Sequence, residues 1–183
     1  MLFCLLVVGC ANSDELTASI RPESLATPID DPAVPNLHQV NGWLFRSAQP
    51  NKENFKQLEG MGIKTVVNLR SMHSDSLNLA DTSLELIEIP IITWSFSDHE
   101  IAAALRAIAV RAKRPVLVHC MHGADRTGLV IALYRVIFES WSKEQAKAEM
   151  LEGGYGFHSM WDNITNYLDT VDIELLRQNV MAD

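Results

Sequence analysis

HCMHGADRTG, residues His119 to Gly128, decides how this chain is read. It follows a β-branched run, Val116 to Val118, and precedes the apolar stretch Leu129 to Leu133, so it joins a strand to a helix. Cys120 stands six positions ahead of Arg126. A chain that passes from strand to helix over so few residues must curl, and its backbone N–H groups then face inward at a helix N-terminus. Such a concave set of donors suits a tetrahedral dianion. Cys120 is expected at the floor of the cup, where the amide dipoles favour thiolate over thiol. Arg126 can bring its planar fork over the rim and grip two phosphoryl oxygens at once. A charged nucleophile below an anion clamp implies displacement at phosphorus through a cysteinyl-phosphate intermediate.

Working outward, Leu37 to Val40 and Trp43 to Arg46 read as a hairpin about Asn41-Gly42, a favoured two-residue turn. Asn51 to Glu59 reads as a helix ended by Gly60 and Gly62, and Thr65 to Leu69 as a buried strand. Met72 to Leu84 carries no clear period beyond a short polar helix, and Leu86 to Ile91 reads as a strand. Ser97 to Lys113 is expected to be helical, with Ala102, Leu105, Ile108 and Ala109 on one face. Thr127 to Glu139 is the apolar helix after the cup. Ser142 and Gln145 form a capping box for a helix to about Glu152, and Met160 to Gln178 reads as one final amphipathic helix. Strands alternating with helices indicate an α/β fold, with a mostly parallel central sheet flanked by helices. Cys120 falls at a strand's carboxyl end, where such sheets bind ligands.

The chain has 183 residues, enough for one domain with a sizeable core, and 48% of them are apolar. A formal charge of −8, without a run of Lys and Arg, argues against nucleic acid as a partner. Residues 1–9 read as an export signal, because MLFCLLVVG is apolar, too short to span a bilayer and ends in small residues. No Lys or Arg precedes this run. Residues 10–37 hold Pro22, Pro28, Pro32 and Pro35 among polar side chains and read as a tether, part of which can lie along the domain. The domain proper is then 38–183. No His, Cys and Asp spacing suggests a metal site, and no cofactor is expected.

The Cys, five residues, Arg, Thr, Gly pattern resembles the signature of the cysteine-dependent protein tyrosine phosphatases. From Gly42 to Leu168 the chain is similar to the bacterial dual-specificity-like branch. GWLFRSAQP (Gly42 to Pro50), GIKTVVNLR (Gly62 to Arg70), PVLVHC (Pro115 to Cys120) and ALYRV (Ala132 to Val136) carry the likeness. The resemblance implies a dual-specificity phosphatase-like fold and a phosphomonoester hydrolase. A phosphoinositide or other non-protein phosphatase, or a phosphate-binding pseudophosphatase, is the alternative. Val7, Val8, Gly9 and Cys10 resemble a lipobox, which implies lipidation at Cys10 and an exported, outer-membrane lipoprotein facing the periplasm, touching the membrane only through that anchor.

Two residues compete as the general acid. Asp98 would be delivered by a mobile loop, as in the family's usual scheme, or would simply favour a helix N-terminus beside the Ser97 and Glu100 capping box. Asp125 resembles the aspartate that precedes the loop arginine in myotubularins and some secreted bacterial phosphatases, or is a loop brace. Thr127 would donate to the Cys120 sulfur, cap the helix, or both. His119 is expected to tie down the loop through hydrogen bonds. Gly123 and Gly128 would permit backbone that a Cβ would block. Arg46 and Arg70 either border the pocket or serve as structural partners. Substrate contacts are expected from Met121, His122, Gly123, Ala124, Asp125 and Arg126. Because Met121, His122, Ala124 and Asp125 add no cation, a single phosphomonoester on a protein, a lipid or a small molecule is favoured over polyphosphorylated inositols.

Overall fold

The computed structural model describes residues 25–31 and 33–182. The signal, Cys10 and most of the tether lie outside them. Six strands form one sheet: β1 (Thr27–Pro28), β2 (His38–Gln39), β3 (Leu44–Ser47), β4 (Thr65–Arg70), β5 (Glu85–Ile91) and β6 (Val116–His119). Their order is β1-β2-β3-β6-β4-β5. The four strands β3, β6, β4 and β5 run parallel, and β1 and β2 are antiparallel additions at one edge. Among the described residues seven helices surround it: α1 (Lys52–Gly60), α2 (Ser76–Leu79), α3 (Asp98–Ala109), α4 (Asp125–Phe138), α5 (Lys143–Glu152), α6 (Asp162–Thr170) and α7 (Ile173–Met181). The expected α/β class is therefore the observed one.

Alternation along the strands sorts the core into two layers. Val67, Leu69, Val116 and Val118 pack with Ile101 and Leu105 of α3 and the apolar face of α4. Val66 and Leu117 face the other way, onto Phe55 and Leu58 of α1. Central parallel strands covered on both faces need continuous apolar runs, which is what VLV and TVV supply. Among the described residues, no helix is long and apolar enough to cross a membrane.

Three local expectations are corrected. The Asn41-Gly42 turn is wider than two residues: neither residue takes the positive φ that the tight hairpin turn requires. Instead the Asn41 side chain accepts from the backbone N–H groups of Trp43 and Leu44 at 3.2 and 3.0 Å, closing a broader loop. The helix expected over Ser97 to Lys113 leaves α geometry at Val110 and ends in a short 3-10 turn, Arg111–Lys113. The single final helix is two. Val171 is extended, Asp172 caps α7 by accepting from the Leu175 N–H at 3.0 Å, and Lys143 Nζ satisfies the freed carbonyl of Val171 at 2.6 Å.

The packed unit also begins earlier than position 38. Ala26, Val34 and Leu37 are buried, and Thr27–Pro28 pairs with His38–Gln39. What draws this segment in is a buried ionic group. Glu149 of α5 accepts from the Ala26 N–H at 2.8 Å, from Arg135 Nε and Nη2 at 2.9 Å each, and from the Tyr155 hydroxyl at 3.1 Å. Removing one member of a buried pair strands the other charge, so Glu149→Ala should cost ~3–5 kcal/mol in urea unfolding. Lys147→Ala, which opens the exposed pair with Asp169, should cost at most ~1 kcal/mol.

Candidate active site

The cup is shaped from outside by hydrogen bonds to its carbonyls. The Gln49 N–H reaches the carbonyl of Met121 at 3.1 Å, Asn36 Nδ2 that of His122 at 2.8 Å, and Arg46 Nη2 that of Gly123 at 2.6 Å. A trans peptide points its N–H opposite to its C=O, so the amides of His122, Gly123 and Ala124 are turned to the other side, as an anion cradle requires. Gly123 has φ +69°, and a Cβ there would collide with the Ser47 carbonyl. At Gly128 a Cβ would meet the Met150 side chain at 2.9 Å. Both glycines thus have the role expected of them.

Arg46, on β3, is fully buried next to this loop. Its guanidinium lies 3.6 Å from the centre of the Tyr155 ring, whose hydroxyl bonds Glu149. Burial lowers its pKa to about 10, against the opposing pull of Tyr155, Glu149 and Cys120, so it stays charged at neutral pH. The same burial, with Glu149 adjacent, pushes the Tyr155 phenol up to about 12. Arg70 is less intimate: it donates to Gln49 Oε1 at 3.0 Å and is a structural partner.

His119 ties the start of the loop to the layer beneath. Its Nε2 lies 2.9 Å from Asp75 Oδ2, with both side chains fully buried. Burial pushes the Asp75 carboxyl up, but His119, Gln49 and His73 outweigh it and hold the group below its ordinary value. Gln49 Nε2 donates to Asp75 Oδ1 at 2.6 Å. Asp75 and Asn36 went unnoticed in the sequence, since each lies in a polar, aperiodic stretch far from the signature.

Cys120 is 1% exposed and is the one free thiol among the described residues. Arg126 donates through Nη1 to the Ile91 carbonyl at 3.3 Å, while its Nε is buried without a partner. Thr127 Oγ1 is likewise buried and unpaired. The expected bond from Thr127 to the Cys120 sulfur is therefore not formed, and the capping alternative also fails. The N-cap is Ala124, and Thr127 lies inside the first turn of α4.

A pocket of about 330 Å³ opens above the loop, bordered by Trp94, Met121, His122, Asp125, Arg126, His158 and Met160. Four of the residues expected to touch substrate, Met121, His122, Asp125 and Arg126, line it. Ala124 does not, because its side chain is buried in the interior; it and Gly123 contribute backbone only. Asp125 is buried and meets His158, which gives its N–H to Oδ1 at 2.9 Å and places Nδ1 at 2.9 Å from Oδ2. Asp98 is elsewhere. It starts α3 beside the Ser97 and Glu100 capping box and accepts from the Tyr167 hydroxyl at 2.7 Å. Burial, and then Asp98, raise the Tyr167 phenol far above its usual range. His158 was not singled out in the sequence, since it comes 33 residues after its partner.

The comparisons agree with this geometry. The chain is 33% identical over 162 residues to the dual specificity protein phosphatase TpbA of Pseudomonas aeruginosa, an alignment covering 88% of this chain and 73% of that protein. A crystal structure of a cysteine-to-serine variant of P. aeruginosa TpbA in complex with pTyr superposes with a TM-score of 0.77 at 29% identity, covering 89% of this chain and all of that one. The catalytic domain of the PP-IP phosphatase SIW14 from S. cerevisiae shares the fold, with a TM-score of 0.69 at 23% identity, covering 85% of this chain and 93% of that one. Residues 34–179 match the tyrosine phosphatase family. With the cysteine, arginine and cradle in place, the chain belongs to that family and is a cysteine-dependent phosphatase.

Proposed function

We propose that the enzyme removes a single phosphate from an ester whose alcohol side is aromatic or otherwise apolar, phosphotyrosine foremost. The observation that carries this is the pocket rim. Trp94, Met121 and Met160 are 71, 50 and 73% exposed, and Arg126 is the one arginine, with no lysine, among the residues that border the pocket. Exposed large apolar side chains around a polar floor mark a surface that meets an apolar group. A ligand with several phosphates would need further cations and would meet Asp125 instead. The likeness to TpbA, solved with pTyr, supports the same choice. The likeness to a PP-IP phosphatase keeps inositol phosphates as the second reading.

In the first step the Cys120 thiolate attacks phosphorus, the S–P bond forms and the P–O bond to the leaving group breaks. Arg126 holds two of the phosphoryl oxygens, which also gives its Nε a partner; an unpaired buried donor costs ~1–3 kcal/mol. Asp125, held in place by His158, donates a proton to the leaving oxygen. In the second step a water that gives a proton to Asp125 attacks phosphorus, the P–O bond forms as the S–P bond breaks, phosphate leaves, and the Thr127 hydroxyl turns to the departing sulfur. Asp98, at the start of α3 and engaged by the Tyr167 hydroxyl of α6, is a helix-terminus residue in this scheme.

The purified protein is expected to hydrolyse aryl phosphates and phosphotyrosine peptides without added metal, faster than inositol polyphosphates. Cys120→Ser should abolish turnover. A preference for inositol polyphosphates would favour the second reading. For the acid, Asp125→Asn should lower kcat/KM by ~10²–10⁴ on alkyl phosphates and much less on nitrophenyl phosphate, while Asp98→Asn stays near wild type; the reverse pattern would restore Asp98. The lipobox likeness at Val7 to Cys10 supports placing the enzyme at an outer membrane, facing the periplasm. Palmitate labelling and membrane fractionation should both be lost in Cys10→Ala, and labelling that persists in this variant would refute the anchor.

A further inference from the structure

The wall of the pocket gathers one more ligand side chain, His122, than the acid assigned to Asp125 and His158 uses. One ligand atom each from His122, Asp125 and His158 lie within 4.8 Å of one another. The two imidazole rings are 5.0 Å apart, centre to centre. We propose that these three side chains form a binding site for a divalent transition ion, Zn²⁺ in particular, and that filling it stops turnover.

The donor chemistry selects the ion. Two imidazoles and one carboxylate suit Zn²⁺ and its borderline neighbours, whereas Mg²⁺ and Ca²⁺ take oxygen ligands. The spacing fits for one pair, and the exposed His122 ring has to close in from within 4.8 Å. Bonds of ~2.0–2.2 Å at tetrahedral to octahedral angles put neighbouring ligand atoms ~2.8–3.6 Å apart, and His158 Nδ1 already stands 2.9 Å from Asp125 Oδ2. The ligands are anchored rather than floppy. Asp125 is the first residue of α4 and is buried, the His158 N–H holds its Oδ1, and the carbonyl of His122 is held by Asn36. Arg126, the nearby positive charge, is engaged with the Ile91 carbonyl.

Coordination through Nδ1 of His158 and Oδ2 of Asp125 places the ion against the two atoms that already face each other at 2.9 Å. With three protein ligands, the remaining coordination position opens toward the pocket. The carboxylate is then committed to the metal and cannot serve the leaving oxygen, and the ion takes up space in the pocket wall. This inhibitory half rests on the assignment of the acid to the Asp125 and His158 pair; the binding half does not.

The test uses the full chain carrying Cys120→Ser, which removes the competing thiolate. Titration with ZnCl₂ by calorimetry, and with CoCl₂ by visible spectroscopy, should show one equivalent with tetrahedral Co²⁺ bands. Adding His122→Ala or His158→Ala should weaken binding by at least tenfold, with MgCl₂ giving no signal throughout. His122 is exposed, so its variant reports even if the His158 change perturbs the fold. Binding lost on Cys120→Ser alone, or unchanged in both histidine variants, would overturn the site. With Cys120 intact, inhibition of alkyl phosphate hydrolysis should need at least tenfold more Zn²⁺ in His122→Ala. Turnover that continues with the site filled would refute the inhibitory half and leave the site standing.

Discussion

A cation buried at the end of a central strand organises the catalytic loop. Arg46 cannot leave its position without exposing apolar neighbours, and it cannot lose its charge near neutral pH. Its hydrogen bond to Gly123 pins the loop at the residue whose conformation a side chain would forbid. Its face rests on Tyr155, which leads through Glu149 to Arg135 and to the backbone of Ala26. Cys120 is among the groups that support the charge of this guanidinium, so the core and the nucleophile share one electrostatic arrangement. Buried ionic groups of this kind are costly to break, which explains why the segment before position 38 folds back onto the domain.

Much of this was legible in the chain. The strand, cup and helix from Val116 to Phe138 follow from a β-branched run, a glycine-containing loop and an apolar stretch, each with its own local reason. The capping box at Ser142 was equally plain. What escaped notice depends on partners distant in sequence. Asn36 reads as part of a proline-rich tether because nothing nearby reveals that its amide will meet a carbonyl of the cup. Asp75 and His158 sit in aperiodic stretches and gain meaning only opposite His119 and Asp125. The break at Val171 was hidden because α6 and α7 continue one apolar period, and only the Asp172 side chain marks the restart.

The two acid candidates show how one residue type is sorted by its surroundings. Asp98 belongs to a helix start and a tyrosine hydroxyl. Asp125 belongs to a pocket wall and a histidine. The first is the family's habitual arrangement by sequence, yet it is the second whose carboxylate borders the space above the loop.

The margins of the sheet carry a separate consequence. On one side β1 is two residues long and ends in Pro28; on the other, β5 shows Glu85, Glu88 and Pro90 to solvent. Proline offers no N–H to an incoming strand, and charge discourages its approach. Continuation of the described sheet into another molecule is thereby discouraged at both borders, so its edges are poor places for a second copy to dock.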